Sequence, residues 1–376
     1  MTGTDWESYA RRGLKELAEC SFERMRFIHE PPYRCLYSGG AGIAYTFWRA
    51  ACLLDEPEWL HYARYWIDHV AAAPADEQVQ KFPDNPAQNF VIENFDSVYY
   101  GDKGVSMVQA LIANAEDNPE MWWKAQKAFT TAASIEAAEP ELLQGITGRL
   151  VGCSLLYQEA EDERLKTHGD KLAEILIDSA GIASGGIPWQ NNHLMGMAHG
   201  RTGNYYALLL WSRVSGFSLP EWIPTGLTEH ARSARKKEHG VGWPVDERDE
   251  KHFVNTWCNG TPGHILLCCL AYNIYRDPLF LDTAISAGTY TTHQRKHTLG
   301  TLCCGSGGAA YAFLYLNRID PDGSWLEHAG HYGELAMDGL MDRHCRLSLF
   351  RGLAGMVCLA LDMTCPQQAR FPTLES

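Results

Sequence analysis

Residues 301–308 have the sequence TLCCGSGG, in which two adjacent cysteines lead into a Gly-x-x-Gly turn. A related stretch, residues 257–263 with the sequence WCNGTPG, also places a cysteine shortly before such a turn. If the two turns are neighbours in space, the thiols of Cys258, Cys303 and Cys304 meet at one point. Three thiolates around one open position are typical of a catalytic zinc site.

A Gly-x-x-Gly turn that opens an apolar, alanine-rich segment occurs seven times along the chain. One such turn would carry little information, but seven that open the same kind of segment define an internal repeat. The segments after the turns are apolar nearly all round, which is typical of buried helices. The turns lie at residues 39–42, 101–104, 145–148, 200–203, 260–263, 305–308 and 352–355.

Amphipathic segments alternate with these apolar ones, and their aliphatic and aromatic residues recur at intervals of three and four. No stretch shows convincing strand alternation, so the pattern predicts seven outer and seven inner helices. The outer segments lie near residues 5–27, 58–68, 119–129, 163–180, 219–237, 278–292 and 327–342.

A repeat of two helices builds either an open solenoid or a closed ring. A solenoid needs polar repeats at its ends, whereas the last inner segment, residues 356–363, is as apolar as the middle ones. We therefore predict an all-α barrel of seven helical hairpins, with the turns lining one mouth and residues 1–376 forming a single domain.

The composition describes a globular protein with a formal net charge of −14. This charge disfavours nucleic acid and anionic membrane surfaces as partners. It fits either a solvated acidic surface or a neutral or basic peptide partner. No apolar run is long enough to span a bilayer and no signal peptide is evident, so we expect a cytoplasmic protein with reduced thiols. Most thiols lie among apolar residues and are expected in the core, for example Cys20, Cys52, Cys153, Cys268, Cys269 and Cys358.

The longest segments between predicted helices, residues 74–98, 181–198 and 238–256, fall at the predicted mouth and are candidates for function. Residues 232–237, RSARKK, are a basic run in an acidic chain. Such a run is either a solvated helix end or a patch for an acidic peptide segment.

The three cysteines have more than one interpretation from sequence alone. They could be buried thiols at tight turns, Cys303 and Cys304 could form a vicinal disulfide, or all three could bind metal. Their place ahead of equivalent turns favours metal. His199 and Glu141 precede two further turns, so they are candidates for acid–base chemistry at the same mouth. Trp257 is expected to wall the pocket.

The sevenfold turn, together with the motifs AHGxxG at 198–203, WCxGxPG at 257–263 and LCCG at 302–305, resembles the lanthionine synthetase C-like family. The resemblance covers most of the chain. It implies a double α-toroid with a zinc ion at its mouth. It also implies an enzyme that adds peptide cysteine thiols to dehydroalanine or dehydrobutyrine, forming lanthionine or methyllanthionine thioethers. Other family members instead join glutathione to dehydrated residues.

The resemblance assigns roles residue by residue. Cys258 and Cys303 match the two family cysteine ligands, and Cys304 stands where a histidine ligand is usual, a variant that some lanthipeptide synthetases share. His199 matches the proposed acid–base histidine. Glu141 stands where the family has a catalytic aspartate, and Asn259 stands where tyrosine is frequent.

The implied function is a zinc-dependent lanthipeptide cyclase acting on a dehydrated precursor peptide. No kinase, lyase or dehydratase segment is evident, so a separate dehydratase or kinase/lyase would have to prepare the substrate. Three alternatives stay open: addition of glutathione or another small thiol, an (α/α)-barrel sugar-active enzyme using Glu141 and Asp96, and a non-catalytic scaffold that keeps zinc for stability.

Overall fold

The computed structural model describes residues 4–28, 33–74, 79–80, 90–91, 97–131, 139–181, 188–189, 192–294, 299–341 and 347–375. Within these residues the fold is almost entirely helical, as predicted. The inner helices are α3 (Gly40–Leu54), α5 (Asp102–Ala115), α7 (Ile146–Glu159), α9 (Arg201–Ser215), α11 (Thr261–Tyr275), α13 (Ser306–Ile319) and α15 (Leu353–Thr364). The outer helices are α1 (Trp6–Ala18), α4 (Glu58–Ala72), α6 (Pro119–Thr130), α8 (Glu163–Asp178), α10 (Trp222–Arg232), α12 (Pro278–His293) and α14 (Trp325–Met341).

The inner helices form a closed ring, because each contacts the next and α15 returns to contact α3. Helix α1 packs on α15, so the first outer helix of the chain completes the last hairpin. Closure of the ring confirms the choice of a barrel over an open solenoid. Within the described residues, no helix has the length and apolar character needed to cross a membrane. The assignment of residues 1–376 to a single domain stays a prediction.

Each inner helix uses the first glycine of its turn as N-cap. The second glycine lies against the carbonyl of the residue six positions earlier, where a side chain has no room. A Cβ atom would lie 2.4 Å from the Trp257 oxygen at Gly263, and 2.2 Å from the Leu302 oxygen at Gly308. Glycine is therefore required for the tight approach between each helix and the chain that leads into it.

Hydrogen bonds join the turns into a circle at one end of the barrel. We call the seven turns, together with the four residues before each, the rim. The bonded residues stand two positions before the first glycine of their turns, so their equivalence is visible in the sequence. In each bond the backbone N–H of one residue donates to the backbone carbonyl of another. The pairs, donor first, are Tyr37 and Tyr99 (2.9 Å), Leu143 and Ala198 (3.4 Å), Ala198 and Cys258 (2.8 Å), Cys258 and Cys303 (3.3 Å), Cys303 and Phe350 (3.1 Å), and Phe350 and Tyr37 (3.1 Å). The Ser97 hydroxyl, which donates to the Leu143 carbonyl, supplies the remaining link.

The interior of the ring is filled by residues 369–375, which we call the lumen segment. It follows a short 3-10 helix (Pro366–Gln368) after α15. Its backbone donates to the hydroxyls of Tyr315 on α13 and Tyr45 on α3, and Tyr206 on α9 donates to Glu375. Because α3, α9 and α13 are not neighbours in the ring, a segment that touches all three lies inside it.

Two predicted outer helices are shorter than expected. The segment near 5–27 breaks into α1 and α2 (Phe22–Ile28), and the Ser21 hydroxyl accepts from the Arg24 N–H (3.1 Å) in the first turn of α2. The segment near 219–237 ends as α10 at Arg232. Its basic run continues as β3 (Arg235–Lys237), which pairs with β4 (Gly240–Gly242) in an antiparallel hairpin. Gly240 has φ +136°, a conformation that favours glycine and supports the hairpin over a longer helix.

A second short hairpin, formed by β1 (Val79–Gln80) and β2 (Phe90–Val91), is also present. Strands this short leave no alternation to see in the sequence. Among the cysteines predicted to be buried, Cys52 is exposed. It lies in the last turn of α3, beyond Ala51, where that helix is no longer covered on all sides. The other five are buried as predicted.

Candidate metal centre

The structure brings the three predicted thiols together on the rim. The Sγ atom of Cys304 lies 3.6 Å from that of Cys258 and 3.3 Å from that of Cys303. All three sulfurs lie within 4.8 Å of one another. Cys258 and Cys303 are buried at equivalent positions of adjacent turns, while Cys304 is partly exposed.

Two alternative interpretations of these thiols fit the geometry less well. No disulfide joins Cys303 and Cys304, because their sulfurs lie 3.3 Å apart, well beyond the length of an S–S bond. Thiols that merely fill space at tight turns would have no reason to converge from two separate turns. Convergence at a partly exposed edge is what a metal site needs.

The donor set fits a soft divalent cation. Hydrogen bonds with Cys258 and Cys304, followed by burial, raise the pKa of the Cys303 thiol well above its ordinary value. The hydrogen bond with Cys303 lowers the pKa of Cys258, but the hydrogen bond with Cys304 and burial raise it more, because a second thiolate would lie beside the first in a buried site. A bound cation would offset that charge, and three sulfur donors suit zinc among the common divalent ions.

Neighbouring hydroxyl groups contact two of the three cysteines. The Thr256 hydroxyl lies 3.5 Å from the Cys258 sulfur, and the Cys304 N–H donates to the Thr301 hydroxyl (3.2 Å). Such outer partners orient metal ligands.

His199 and Glu141 form a pair on the next part of the rim. The Nδ1 atom of His199 lies 3.4 Å from Oε2 of Glu141, and 31% of the His199 side chain is exposed. The Glu141 carboxylate accepts from the N–H groups of Leu143 (2.9 Å) and Gln144 (2.6 Å), which fix its orientation. The Asn192 amide donates to the His199 carbonyl (2.7 Å).

The electrostatics of this pair favour a protonated imidazole. Burial lowers the pKa of His199, but the charge of Glu141 and its hydrogen bond raise it more, and Cys304 adds to the rise. The net pKa lies above the ordinary 6.5. A partly exposed histidine whose pKa is raised by a neighbouring carboxylate is suited to act as a general acid.

Sequence reasoning missed the aromatic residues beside the thiols. Tyr37 stacks on Phe350 with ring centroids 5.0 Å apart, and Tyr100 lies 5.1 Å from Tyr37. Burial, and then the nearby Cys303 thiol, raise the pKa of Tyr37 well above its ordinary value. These residues stand one or two positions before the first glycine of their turns, so comparison of equivalent positions could have found them.

The sequence predicts that Trp257 lines an open pocket, but the structure places it elsewhere. Its side chain is fully buried and stacks on Phe371 of the lumen segment, with ring centroids 4.7 Å apart. Because Phe371 belongs to the lumen segment, this contact places the Trp257 ring inside the barrel. Trp257 therefore supports the site from below.

The long segments at the mouth are described only in part. Residues 192–199 lie against residues 245–252, since the Met195 N–H donates to the Val245 carbonyl (3.0 Å). Most of 74–98 lies outside the described residues, and so does Asp96. In the basic run, Arg235 and Lys236 are exposed on β3, and the Lys237 ammonium lies 3.2 Å from the ring centroid of Phe253.

Comparisons with known proteins agree with this architecture. The family model for lanthionine synthetase C-like protein matches residues 34–376. The chain is 24% identical over 366 residues to Glutathione S-transferase LANCL1 of Danio rerio, covering 90% of this chain and 84% of that protein. It is 30% identical over 142 residues to LanC-like protein GCL1 of Arabidopsis thaliana, covering 35% of this chain and 33% of that protein.

Among solved structures, Nisin cyclase has the same fold, with a TM-score of 0.70, 14% identity and 94% of each chain covered. At that identity the likeness concerns the fold alone. The family match spans nearly the whole chain and includes both cysteine turns. The chain belongs to the lanthionine synthetase C-like proteins.

Proposed function

We propose that this protein is a zinc-dependent cyclase that forms lanthionine or methyllanthionine thioethers in a dehydrated precursor peptide. The observation that carries the proposal is the convergence of three thiols within 4.8 Å at a partly exposed rim. The His199–Glu141 pair on the same rim supports it, because thioether formation also needs a proton donor. Family membership supports this general chemistry.

In the proposed reaction, the peptide thiol adds across the carbon–carbon double bond of a dehydro residue. Sulfur bonds to the β-carbon, and a proton is delivered to the α-carbon. A bound zinc ion would supply the thiol as a thiolate near neutral pH, which a free thiol with a pKa near 8.5 largely is not.

The chain's own residues then have distinct tasks. Cys258, Cys303 and Cys304 would hold the zinc ion and leave one coordination position open. His199, protonated beside Glu141, would donate the proton to the α-carbon. The Glu141 carboxylate, fixed by two backbone N–H groups, would keep the imidazole oriented and would stabilise its charged form.

A second candidate is the addition of glutathione to a dehydrated polypeptide. The observation that favours it is the similarity to a relative named a glutathione S-transferase, along most of both chains. The same thiols and the same proton donor would serve this reaction, since only the source of the attacking thiol differs.

One experiment separates the two candidates. The zinc-loaded protein is incubated with a peptide that carries a dehydroalanine and one internal cysteine, in the presence of glutathione. Cyclisation leaves the peptide mass unchanged but removes its free thiol, whereas glutathione addition raises the mass by one tripeptide. We expect cyclisation to dominate, and exclusive formation of the glutathione adduct would overturn the cyclase proposal. Lack of either product with a zinc-loaded protein would favour the scaffold.

The sugar-active alternative has less support. Both Glu141 oxygens accept backbone hydrogen bonds, and one also lies near His199, so this carboxylate is poorly placed to protonate a glycosidic oxygen. Glycosidases of the usual kind also need a second carboxylate across the bond. The residue chosen for that task, Asp96, lies outside the described residues.

The partners stay part of the cyclase proposal. They are a dehydrated precursor peptide and a separate dehydratase or kinase/lyase.

A further inference from the structure

An aromatic cluster lies directly beneath the cysteine turns. Trp257 precedes Cys258, and the Phe350 carbonyl accepts the Cys303 N–H (3.1 Å). The Trp257 and Phe350 rings contact each other, with centroids 5.5 Å apart. Trp257 also touches the next turn, since a Cβ atom at Gly308 would lie 2.8 Å from the Trp257 Cβ. The backbones that aim the two buried thiols therefore rest on these two rings.

One ring of this cluster comes from elsewhere in the chain. Phe371, in the lumen segment, stacks on Trp257 with a centroid distance of 4.7 Å and an interplanar angle of 13°. It also lies 6.2 Å from Phe350 and 5.1 Å from Tyr311. Its side chain is fully buried, so it closes the space under the rim that the inner helices leave open.

The lumen segment holds Phe371 in place from both sides. The Phe371 N–H donates to the Tyr315 hydroxyl, and the Thr373 N–H donates to the Tyr45 hydroxyl, both at 3.1 Å. Before Phe371, the Arg318 guanidinium donates to the Ala369 carbonyl (2.9 Å), and after it Tyr206 donates to the Glu375 carboxylate (2.9 Å). These bonds reach three inner helices, so the position of Phe371 is set by the barrel as a whole.

We propose that Phe371 is a positioning residue for the metal centre. It supports Trp257 and Phe350 from below, and through them it fixes the Cys258 and Cys303 backbones at the separation that one cation needs. Metal ligands must lie within a few tenths of an ångström of their working distances. A cavity beneath Trp257 would let that ring shift and would loosen the Cys258 turn. The inference rests on the proposed zinc site, but it concerns the binding of zinc rather than the reaction.

The test compares Phe371→Ala with a matched control, Phe313→Ala. Both phenylalanines are fully buried, but the Phe313 ring contacts Trp325, His328 and Tyr332 on the outer helix α14. Zinc affinity is measured by competition with a chromophoric chelator. The absorption spectrum of the cobalt-loaded protein reports ligand geometry, and circular dichroism and thermal melting report folding.

We expect Phe371→Ala to weaken zinc binding by at least about tenfold, the lower end of the range for outer supports of metal ligands. The cobalt spectrum should change as well. Phe313→Ala should melt at a lower temperature than the wild type but bind zinc as tightly. Phe371→Leu, which keeps most of the volume, should fall between Phe371→Ala and the wild type in affinity.

The inference is overturned if Phe371→Ala is folded and binds zinc like the wild type, or if Phe313→Ala weakens binding equally. If Phe371→Ala does not fold, Phe371→Leu decides: an intermediate affinity with an altered cobalt spectrum supports positioning, and wild-type behaviour overturns it. A wild-type protein that binds no zinc would overturn the proposed function together with this inference. Normal zinc binding in every variant would overturn this inference alone.

Discussion

The rim and the inner helices, which we call the wall, contain the same reactive residue types in different settings. On the wall, burial raises the pKa of Cys153, Cys268 and Cys358 to about 12. On the rim, the hydrogen bonds with two other thiols come first among the causes that raise the pKa of Cys303. A cation can offset repulsion among converging thiolates, but it cannot reach a thiol isolated inside a helix bundle. Position, rather than residue type, therefore decides which thiols are candidates for chemistry.

Histidines show the same contrast. His230, on the outer helix α10, is buried beside His264 and Thr202, and burial, with the charge of Arg201, lowers its pKa to about 3. On the rim, Glu141 outweighs the effect of burial and the pKa of His199 rises. One ring is thus kept neutral at physiological pH, while the other tends to hold a proton.

The largest expected effect is the loss of a rim thiol. Cys258→Ala and Cys303→Ala should each lose zinc and cyclase activity while the protein stays folded, because two ligands hold the ion poorly. The matched wall variant, Cys268→Ala, should bind about one zinc per chain, inferred from a single three-cysteine site. Metal analysis and circular dichroism check this. Full zinc occupancy after loss of both rim thiols would locate the metal elsewhere.

The next effect concerns the rim histidine. His199→Ala should leave zinc bound yet slow turnover by roughly 10²–10⁴-fold, the usual range for loss of a general acid or base. Because the acid form is required, activity should fall as pH rises through the raised pKa of His199. Glu141→Gln removes the charge that raises that pKa, so the fall in activity should occur at lower pH in this variant. Wild-type turnover in His199→Ala would make this histidine a structural residue.

A smaller effect is expected for Cys304, which departs from the more frequent histidine ligand. Three thiolates give the zinc site a net charge of −1, whereas two thiolates and a neutral histidine give zero. The more negative site should leave more electron density on the substrate sulfur and make it the stronger nucleophile. Cys304→His should therefore keep zinc but cyclise more slowly in single turnover, and Cys304→Ala should bind zinc more weakly. A metal-loaded histidine variant as fast as the wild type would contradict the charge effect.

The smallest effect concerns stability rather than activity. His230 is neutral when folded, but in the unfolded chain it takes up a proton below its ordinary pKa of 6.5. The stability that neutral His230 contributes to the folded protein is complete above pH 6.5 and is lost as the pH falls from about 6.5 towards 3. The loss is about 1.4 kcal/mol per pH unit within this window. The contribution of His199 to stability changes with pH in the opposite direction, because its raised pKa favours folding at lower pH. The partial exposure of its side chain reduces this effect.

Chemical denaturation at several pH values checks this contribution. His230→Gln should flatten the decline in the free energy of unfolding between pH 6.5 and pH 4.5, while His199→Ala should not. An unchanged slope in His230→Gln would mean that other groups, such as the buried His168 beside Arg149, dominate acid unfolding.

Much of the fold could be predicted from the sequence because the features that determine it are local. Glycine at each turn, apolar residues all round the inner segments and helical spacing in the outer ones depend on neighbours within a few residues. These features predicted the alternation of helices, the closed barrel and the equivalence of the positions that Cys258 and Cys303 occupy. They also predicted that His199 and Glu141 would share the mouth with the thiols.

The filling of the barrel and the contacts between distant groups depend on tertiary packing and could not be predicted from local sequence. The lumen segment is short and has no repeat, and its place depends on the width of a ring built from seven distant helices. The stack of Phe371 on Trp257, the 3.4 Å approach of His199 to Glu141 and the exposure of Cys52 have the same origin. Each depends on the separation of residues far apart in the chain, which packing of the whole ring sets and local periodicity does not.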